Sequence, residues 1–392
     1  MAAARVTRLT AEKADCHVGL ISGTSMDGVD AALVDFDCSR VQVLAARTYP
    51  FPEEIKTTLD RLREDPDRFP LAALARLDAT LGETLAQAAL DIIELAGVEP
   101  RAVTSIGSHG QTLLHRPDDN PPQTLQVGDP HIIADRTGIT TVADFRRADL
   151  AAGGQGAPLA PLLHQALFQV PQEDRIVANL GGIANITVLP AGGGVAGFDT
   201  GPANCYLDLW FRRHHAERFD HAGAWAATGS VHPELLGLLL EDSYIQRPPP
   251  KSTGIEYFNP TWLDQRLASF KQLEPADVQA TLAEFSARSL AQAIERQSGY
   301  AARRLILCGG GVHNLDLVDR IRQQLPGMTV ESSADHGMDP DQVEAVLFAW
   351  LARRRLRAKA TETGPITGAR KQTLLGVIFE SGSLPARPFS HG

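Results

Sequence analysis

Three short runs combine glycine, hydroxyl and amide residues in a way that suits phosphate: "SGTSMDG" (22–28), "NLGGIAN" (179–185) and "LCGGGVHN" (307–314). Glycines let the main chain approach a ligand closely, backbone amides donate to its oxygens, and the Asp27 carboxylate of the first run can order Mg²⁺ through water. Each run has a plainer reading: a decorated hairpin turn at 22–28, a tight turn at 181–182, close strand packing at 309–311. A fourth run, "GFDTGPAN" (197–204), carries one carboxylate, Asp199. That carboxylate either faces a cleft or caps a following helix, since Asp-Thr-Gly-Pro-Ala-Asn is good helix-start chemistry.

The common signatures are absent. No GxGxxG separates a strand from a helix, and "PPPKST" (248–253) lacks the glycine that a Walker loop needs before its lysine. GxSxG, HExxH and SxxK with its partners are also missing. "RRHHAERFDHAG" (212–223) holds His214, His215 and His221, which read as a polar helix face and loop rather than a metal site.

The elements that must position these loops alternate short β-rich runs with amphipathic helices, the pattern of an α/β fold. Strands at 17–21 and 31–36 flank the first loop, and another follows at 41–46. After Pro70, Leu71, Leu74, Leu77, Leu81, Leu85, Ile92 and Leu95 recur at near-helical spacing, with Gly97 as a stop. "AVTSIGSHGQT" (102–112) predicts a strand ending in a polar loop, and 138–158 repeats that design. Residues 175–204 repeat the opening pattern of hairpin plus third strand, which predicts two similar halves facing each other. Helices are expected at 275–297 and 341–356, a buried strand leads into the glycines at 309–311, and 246–254 reads as a loop.

The chain has 392 residues, too many for one typical core, so two domains are expected. A net charge of −10 disfavours general nucleic-acid binding. No stretch approaches the roughly 20 apolar residues of a membrane span. The N-terminus lacks an apolar signal region and reads as a frayed tail over 1–16. Four cysteines without metal spacing suit a reducing cytoplasm.

The order of the three glycine runs resembles the hexokinase–actin–heat-shock chaperone superfamily. More specifically, "GLISGTSMDGVDAALVDFD", "IGSHGQTLLHRP", "ADFRRADLAAGGQGAPLAP", "NLGGIANITVL", "GFDTGPANCYLDLW", "DHAGAWAATG", "KSTGIEYFN" and "LCGGGVHN" together resemble the anhydro-N-acetylmuramic acid kinase family. The match runs from about residue 17 to "TGARKQTLLGVIF". This resemblance implies a two-domain actin/hexokinase-like α/β fold, with duplicated mixed sheets flanked by helices and ATP in the interdomain cleft. One lobe would take residues 17–150 with about 370–392 returning, and the other 151–369.

The family's chemistry is a double reaction: water opens a 1,6-anhydro sugar while O6 takes the γ-phosphoryl group of ATP. By resemblance, Asp199 is the general base. Gly23, Thr24, Ser25, Asp27 and Gly28 would hold phosphates, joined by Gly181, Gly182 and Asn185. Gly309, Gly310 and Gly311 would back the adenosine, and Asp27 would serve Mg²⁺. Ser108, His109, Gln111, Asp144, Arg146 and Arg147 fall on the sugar-side blocks; an arginine fork suits the lactyl carboxylate of a muramic sugar. The family often has a further basic residue where this chain has Ala148. Lys251 reads equally as substrate contact or loop anchor. The resemblance also implies a homodimer. Two other readings stand beside it: a kinase for another small sugar or polyol, and an actin- or chaperone-like nucleotide switch.

Overall fold

The computed structural model describes residues 15–382, except 24–25, 27, 38–40, 65–67, 255–256 and 298–301. The expected N-terminal tail and the final residues of the returning C-terminal segment therefore lie largely outside the described residues.

Two mixed sheets are built on one plan. In the first, β1 (Cys16–Ser22), β2 (Gly28–Asp35) and β3 (Gln42–Pro50) form an antiparallel meander. β4 (Val103–Arg116) joins β1 in parallel, β5 (Gln123–Val127) folds back on β4, and β6 (Thr141–Ala143) adds in parallel beyond β4. In the second, β7 (Arg175–Leu180), β8 (Ile183–Leu189) and β9 (Ala196–Pro202) repeat the meander, and β10 (Arg304–Cys308) and β11 (Thr329–Ser332) repeat the parallel additions. The strand orders β3-β2-β1-β4-β6 and β9-β8-β7-β10-β11 coincide, with β12 (Val377–Phe379) closing the far edge of the first sheet. This is the duplicated actin/hexokinase-like α/β architecture expected from the sequence.

Helices separate and cover the sheets. α1 (Glu53–Glu64), α2 (Leu71–Leu95) and α3 (Pro130–Thr137) pack Ile55, Leu81, Leu85, Ile92 and Ile133 on the outer face of the first sheet. A short α4 (Arg147–Ala151) follows β6, and α5 (Ala160–Phe168) enters the space between the sheets. α6 (Asn204–His214), α7 (Pro233–Leu240), α8 (Ser243–Gln246), α9 (Pro260–Leu267), α10 (Pro275–Glu295) and α11 (Leu315–Gln324) belong to the outer side of the second sheet. α12 (Val343–Leu356) is apolar on almost every face because both sheets bury it, and α13 (Gly364–Thr367) follows. No helix among the described residues is long and apolar enough to cross a membrane.

α12 crosses β1 and β4 at two glycines. A Cβ on Gly19 would lie 1.8 Å from the Ala345 carbonyl oxygen, and one on Gly107 would lie 2.0 Å from that of Phe348. Only strands without side chains at these positions admit the helix backbone so closely. The N-terminal end of α12 is thereby fixed beside the loops that end β7 and β10.

Two sequence expectations shift. β2 begins at Gly28 rather than at residue 31, because the missing side chain lets the Tyr49 carbonyl of β3 come within 2.5 Å of where a Cβ would stand. β4 does not end in a loop near residue 112. It kinks at Gly110 (φ +72°), pairs with β1 once more at Gln111, and continues to Arg116 with β5 as its new partner.

Candidate active site

The second glycine hairpin joins β7 to β8. Its carbonyls are held from below: Ala203 and Cys205 N–H donate to the Gly182 oxygen, and Asn204 N–H to that of Gly181, at 2.9–3.1 Å. Asn185 is paired in register with both Asn179 and Asp199, and its side-chain oxygen is buried with no hydrogen-bond partner among the described residues. The third glycine run divides its labour. Cβ atoms on Gly309 and Gly311 would meet Asn179 Oδ1 at 2.3 Å and Leu180 Cβ at 2.6 Å, so these two serve strand packing. Gly310 faces open space, with nothing within 4 Å of its Cβ position. "DHAGAWAATG" lies against this run: Asp220 accepts from Trp225 and Ala226 N–H, and Gly223 (φ +70°) packs on Asn314.

Of the first hairpin, Thr24, Ser25 and Asp27 lie outside the described residues. Gly23 has open space around its Cβ position, and its carbonyl accepts from Met26 N–H at 3.2 Å. The Ser22 hydroxyl donates to Gln111 Oε1 at 2.6 Å, while the Gln111 amide reaches the Gly23 carbonyl at 3.4 Å. Gln111 thus ties β4 to the entrance of this loop.

Asp199 sits inside β9 and is buried. It does not cap α6, which starts beyond Ala203 without a side-chain cap. Its carboxylate accepts the Thr253 N–H at 2.9 Å, its own N–H donates to the Lys251 carbonyl at 3.2 Å, and its carbonyl accepts from the Tyr244 hydroxyl at 2.9 Å. The 251–253 loop is therefore tied to Asp199 at two points, the carboxylate and the backbone N–H. Lys251 anchors that loop: its ammonium donates to the Tyr244 and Ile245 carbonyls at 2.9 and 3.3 Å and lies over the Tyr244 ring. Burial pulls its pKa down to about 8.

Across from Asp199 stands Arg146. Asp144 adopts φ +57°, a conformation that L residues rarely hold and that turns the chain after β6 so Phe145 is buried and Arg146 reaches inward. Arg146 Nε donates to His109 Nε2 at 3.0 Å and an Nη donates to the Gly156 carbonyl at 2.8 Å. Burial works against its charge, which Asp199, Glu344 and Asp149 support. His109 stacks near Phe348 of α12, with Nδ1 3.0 Å from the Gly110 carbonyl. Donation from Nδ1 and acceptance at Nε2 require a neutral ring, and burial with the Arg146 charge holds its pKa well below the usual value.

The family model for anhydro-N-acetylmuramic acid kinase matches residues 15–381. The chain belongs to the anhydro-N-acetylmuramic acid kinase family. It is 49% identical over 366 residues to the anhydro-N-acetylmuramic acid kinase of Xanthomonas oryzae pv. oryzae (strain MAFF 311018), covering 93% of this chain and 97% of that relative. Identity to the anhydro-N-acetylmuramic acid kinase of Pasteurella multocida (strain Pm70) is 43% over 363 residues, covering 93% and 96%. Among solved structures, the activator of the 2-hydroxyisocaproyl-CoA dehydratase from Clostridium difficile with bound ADPNP is 10% identical, with a TM-score of 0.42 over 88% of this chain and 98% of that one.

Not every sugar-side residue expected for this family converges. His109 and Arg146 meet beside Asp199. Strand alternation sends Ser108 to the opposite face of β4 from His109, where its buried hydroxyl has no partner among the described residues. Asp144 and Arg147 pair with each other at 3.5 Å, Arg147 lying on the exposed side. Glu344, in the first turn of α12, is a residue the sequence reading missed. Its carboxylate accepts from Asn179 Nδ2 at 3.3 Å and faces Arg146 and Asp30; burial raises its pKa. An acidic first turn is what any helix dipole favours, so nothing in the sequence marks this glutamate.

The histidines at 212–223 keep their plain reading. His215 stacks on Phe211 with ring centroids 4.3 Å apart, and His214 packs on Trp210. Among the described residues no three His, Cys, Asp or Glu side chains gather as a metal site. Mg²⁺ does not need one, since it keeps several waters and takes one or two carboxylates alongside substrate phosphates.

Proposed function

We propose that this kinase uses ATP to phosphorylate O6 of 1,6-anhydro-N-acetylmuramic acid while water opens the anhydro bridge, giving N-acetylmuramic acid 6-phosphate and ADP. The observation that carries the reading is the Asp199 carboxylate, buried in β9, held by Thr253 N–H and faced by Arg146. Asp199 takes a proton from water as its oxygen bonds to C1. The C1–O6 bond breaks, and O6 attacks the γ-phosphorus in line as ADP leaves. An ordinary glycosidase needs a carboxylic acid to protonate the leaving oxygen. Here phosphorus captures that oxygen, so one base is enough. Glu344 supplies negative charge beside the positive charge that develops at C1.

Arg146, oriented by neutral His109, binds the lactyl carboxylate of the sugar. The triphosphate spans the loop at 23–28, including Gly23, Thr24, Ser25, Asp27 and Gly28, and the hairpin of Gly181, Gly182 and Asn185. Adenosine lies on Gly310, with Gly309 and Gly311 keeping that loop close to β7. Asp27 is the carboxylate that would hold Mg²⁺, which when bound neutralises charge on the transferring phosphate. Gln111 shapes the first hairpin, and Ser108, Asp144 and Arg147 support the sugar-side loops. The division into lobes at 17–150, with the returning C-terminal segment, and 151–369, the homodimer and a cytoplasmic setting belong to the same proposal.

ATP turnover with 1,6-anhydro-N-acetylmuramic acid, free N-acetylmuramic acid and glucose separates this reading from its rivals. Turnover with the anhydro sugar alone supports it. Equal turnover with an open-ring sugar favours a simple sugar kinase, and sugar-independent ATPase favours a nucleotide switch.

A further inference from the structure

A row of buried polar side chains outside the proposed chemistry crosses the apolar layer between the sheets. Thr187 on β8, His164 on α5 and Cys308 on β10 are each 0% exposed. His164 Nδ1 lies 2.8 Å from Thr187 Oγ1, and its Nε2 lies 3.7 Å from Cys308 Sγ. Cys308 Sγ in turn lies 3.8 Å from Asn179 Oδ1. The row surfaces at the cleft, where Asn179 Nδ2 donates to Glu344.

One direction of donation satisfies every link. The Thr187 hydroxyl donates to Nδ1, Nε2–H to sulfur, and S–H to Oδ1, which leaves the amide nitrogen of Asn179 for Glu344. Every member is neutral: burial holds His164 down at about 3 and pushes the Cys308 thiol up. Buried polar rows cost more than apolar packing unless fully satisfied, and aligned hydrogen bonds polarise one another toward the acceptor at the end.

We propose that Asn179 is a positioning residue for the reaction, aiming the Glu344 carboxylate into the cleft while Cys308 and His164 fix which way its amide points. This rests on the reading of Glu344 given above. Among the described residues, four side chains face that carboxylate: Asp30 from β2, Arg146 ahead of α4, Asn179 from β7 and Cys308 from β10. Asn179 and Arg146 favour its ionised form, whereas burial and Asp30 oppose it. Removing the amide therefore shifts Glu344 toward protonation at higher pH.

The test is kcat against pH at saturating sugar and ATP for full-length wild type, Asn179→Ala, Cys308→Val and Glu344→Gln. For Asn179→Ala the expected result is a kcat about tenfold lower at pH 7, with an acid limb moved up by about one pH unit and sugar KM within about threefold. Cys308→Val, which removes the thiol donor and adds one methyl group, moves the limb the same way by less. A folded Asn179→Ala with the wild-type acid limb overturns the inference while a crippled Glu344→Gln leaves the Glu344 reading standing. If Asn179→Ala does not fold, an unmoved limb in Cys308→Val overturns it instead. A fully active Glu344→Gln removes the Glu344 reading itself, and the inference with it.

Discussion

Gly19→Ala tests the packing that sets the N-terminal end of α12. The new methyl carbon would stand 1.8 Å from the Ala345 oxygen, 2.7 Å from the Ala349 nitrogen and 2.8 Å from the Ala345 carbonyl carbon. Ordinary contact begins near 3.4 Å, so α12 would have to retreat from β1 by about 1.6 Å. Every obstructing atom is helix backbone, and α12 is packed on its far side by the second sheet, so no side chain can rotate away. Overpacking of this kind costs about 3 kcal/mol, the upper end of its usual range. For a chain of this size that lowers Tm by roughly 4 °C. Glu344 precedes Ala345 and moves with it. A misplacement on the order of 1 Å can cost up to about a hundredfold in rate, so kcat falls by at least about tenfold. Thermal melts and steady-state kinetics read both effects. A Gly19→Ala enzyme with Tm within roughly 1 °C of wild type and unchanged kcat would refute the close-packed account of α12.

Gly310→Ala makes the complementary case. Its Cβ meets nothing within 4 Å, so Tm should hold while ATP KM rises about tenfold if adenosine rests on this glycine; an unchanged KM contradicts that placement. Arg146→Lys loses the planar fork and the bond to His109, so sugar KM should rise about tenfold or more with ATP KM unaffected. Equal losses for both substrates would argue for a purely structural arginine. Burial, reinforced by the Arg146 charge, holds the His115 pKa down to about 3, against an unfolded value near 6.5. The unfolded chain therefore binds a proton that the folded chain refuses between these pH values, and stability falls as pH drops below about 6.5. Urea unfolding between pH 7 and 5.5 should show an average slope shallower by about 0.6 proton in His115→Gln; parallel slopes would contradict the assignment.

Much of this arrangement was written locally. The leucine spacing of α2 and the stop at Gly97 need only helical geometry, and the meander over 175–204 needs only turns between strands. That meander repeats the one formed by β1, β2 and β3, with a glycine turn between its first two strands. The misses share a cause. β4 carries Ser108, His109 and Gln111 as buried polar residues, which read as a loop until β1 pairs with Ser108 and β5 takes over the pairing from Gln111 onward. Asp199 lies within β9 because strand pairing with Asn185 continues through a stretch of helix-start chemistry. Glu344 is 145 positions from Asp199 in sequence. Only the burial of α12 between the sheets brings it toward the same cleft, and the glycines that permit this, Gly19 and Gly107, carry no chemical signal of their own. The separation of Arg146 from its neighbour Arg147, one inward and one exposed, follows from the unusual backbone of Asp144, which no residue pattern announces.

The most direct measurement is ATP turnover with 1,6-anhydro-N-acetylmuramic acid in ¹⁸O water, for wild type and Asp199→Asn. Wild type should give one ¹⁸O at C1 of a 6-phosphorylated product, and Asp199→Asn should lose turnover by about three orders of magnitude or more with the protein still folded. Label at the phosphate instead of C1, or an Asp199→Asn enzyme that turns over at the wild-type rate, would contradict this mechanism.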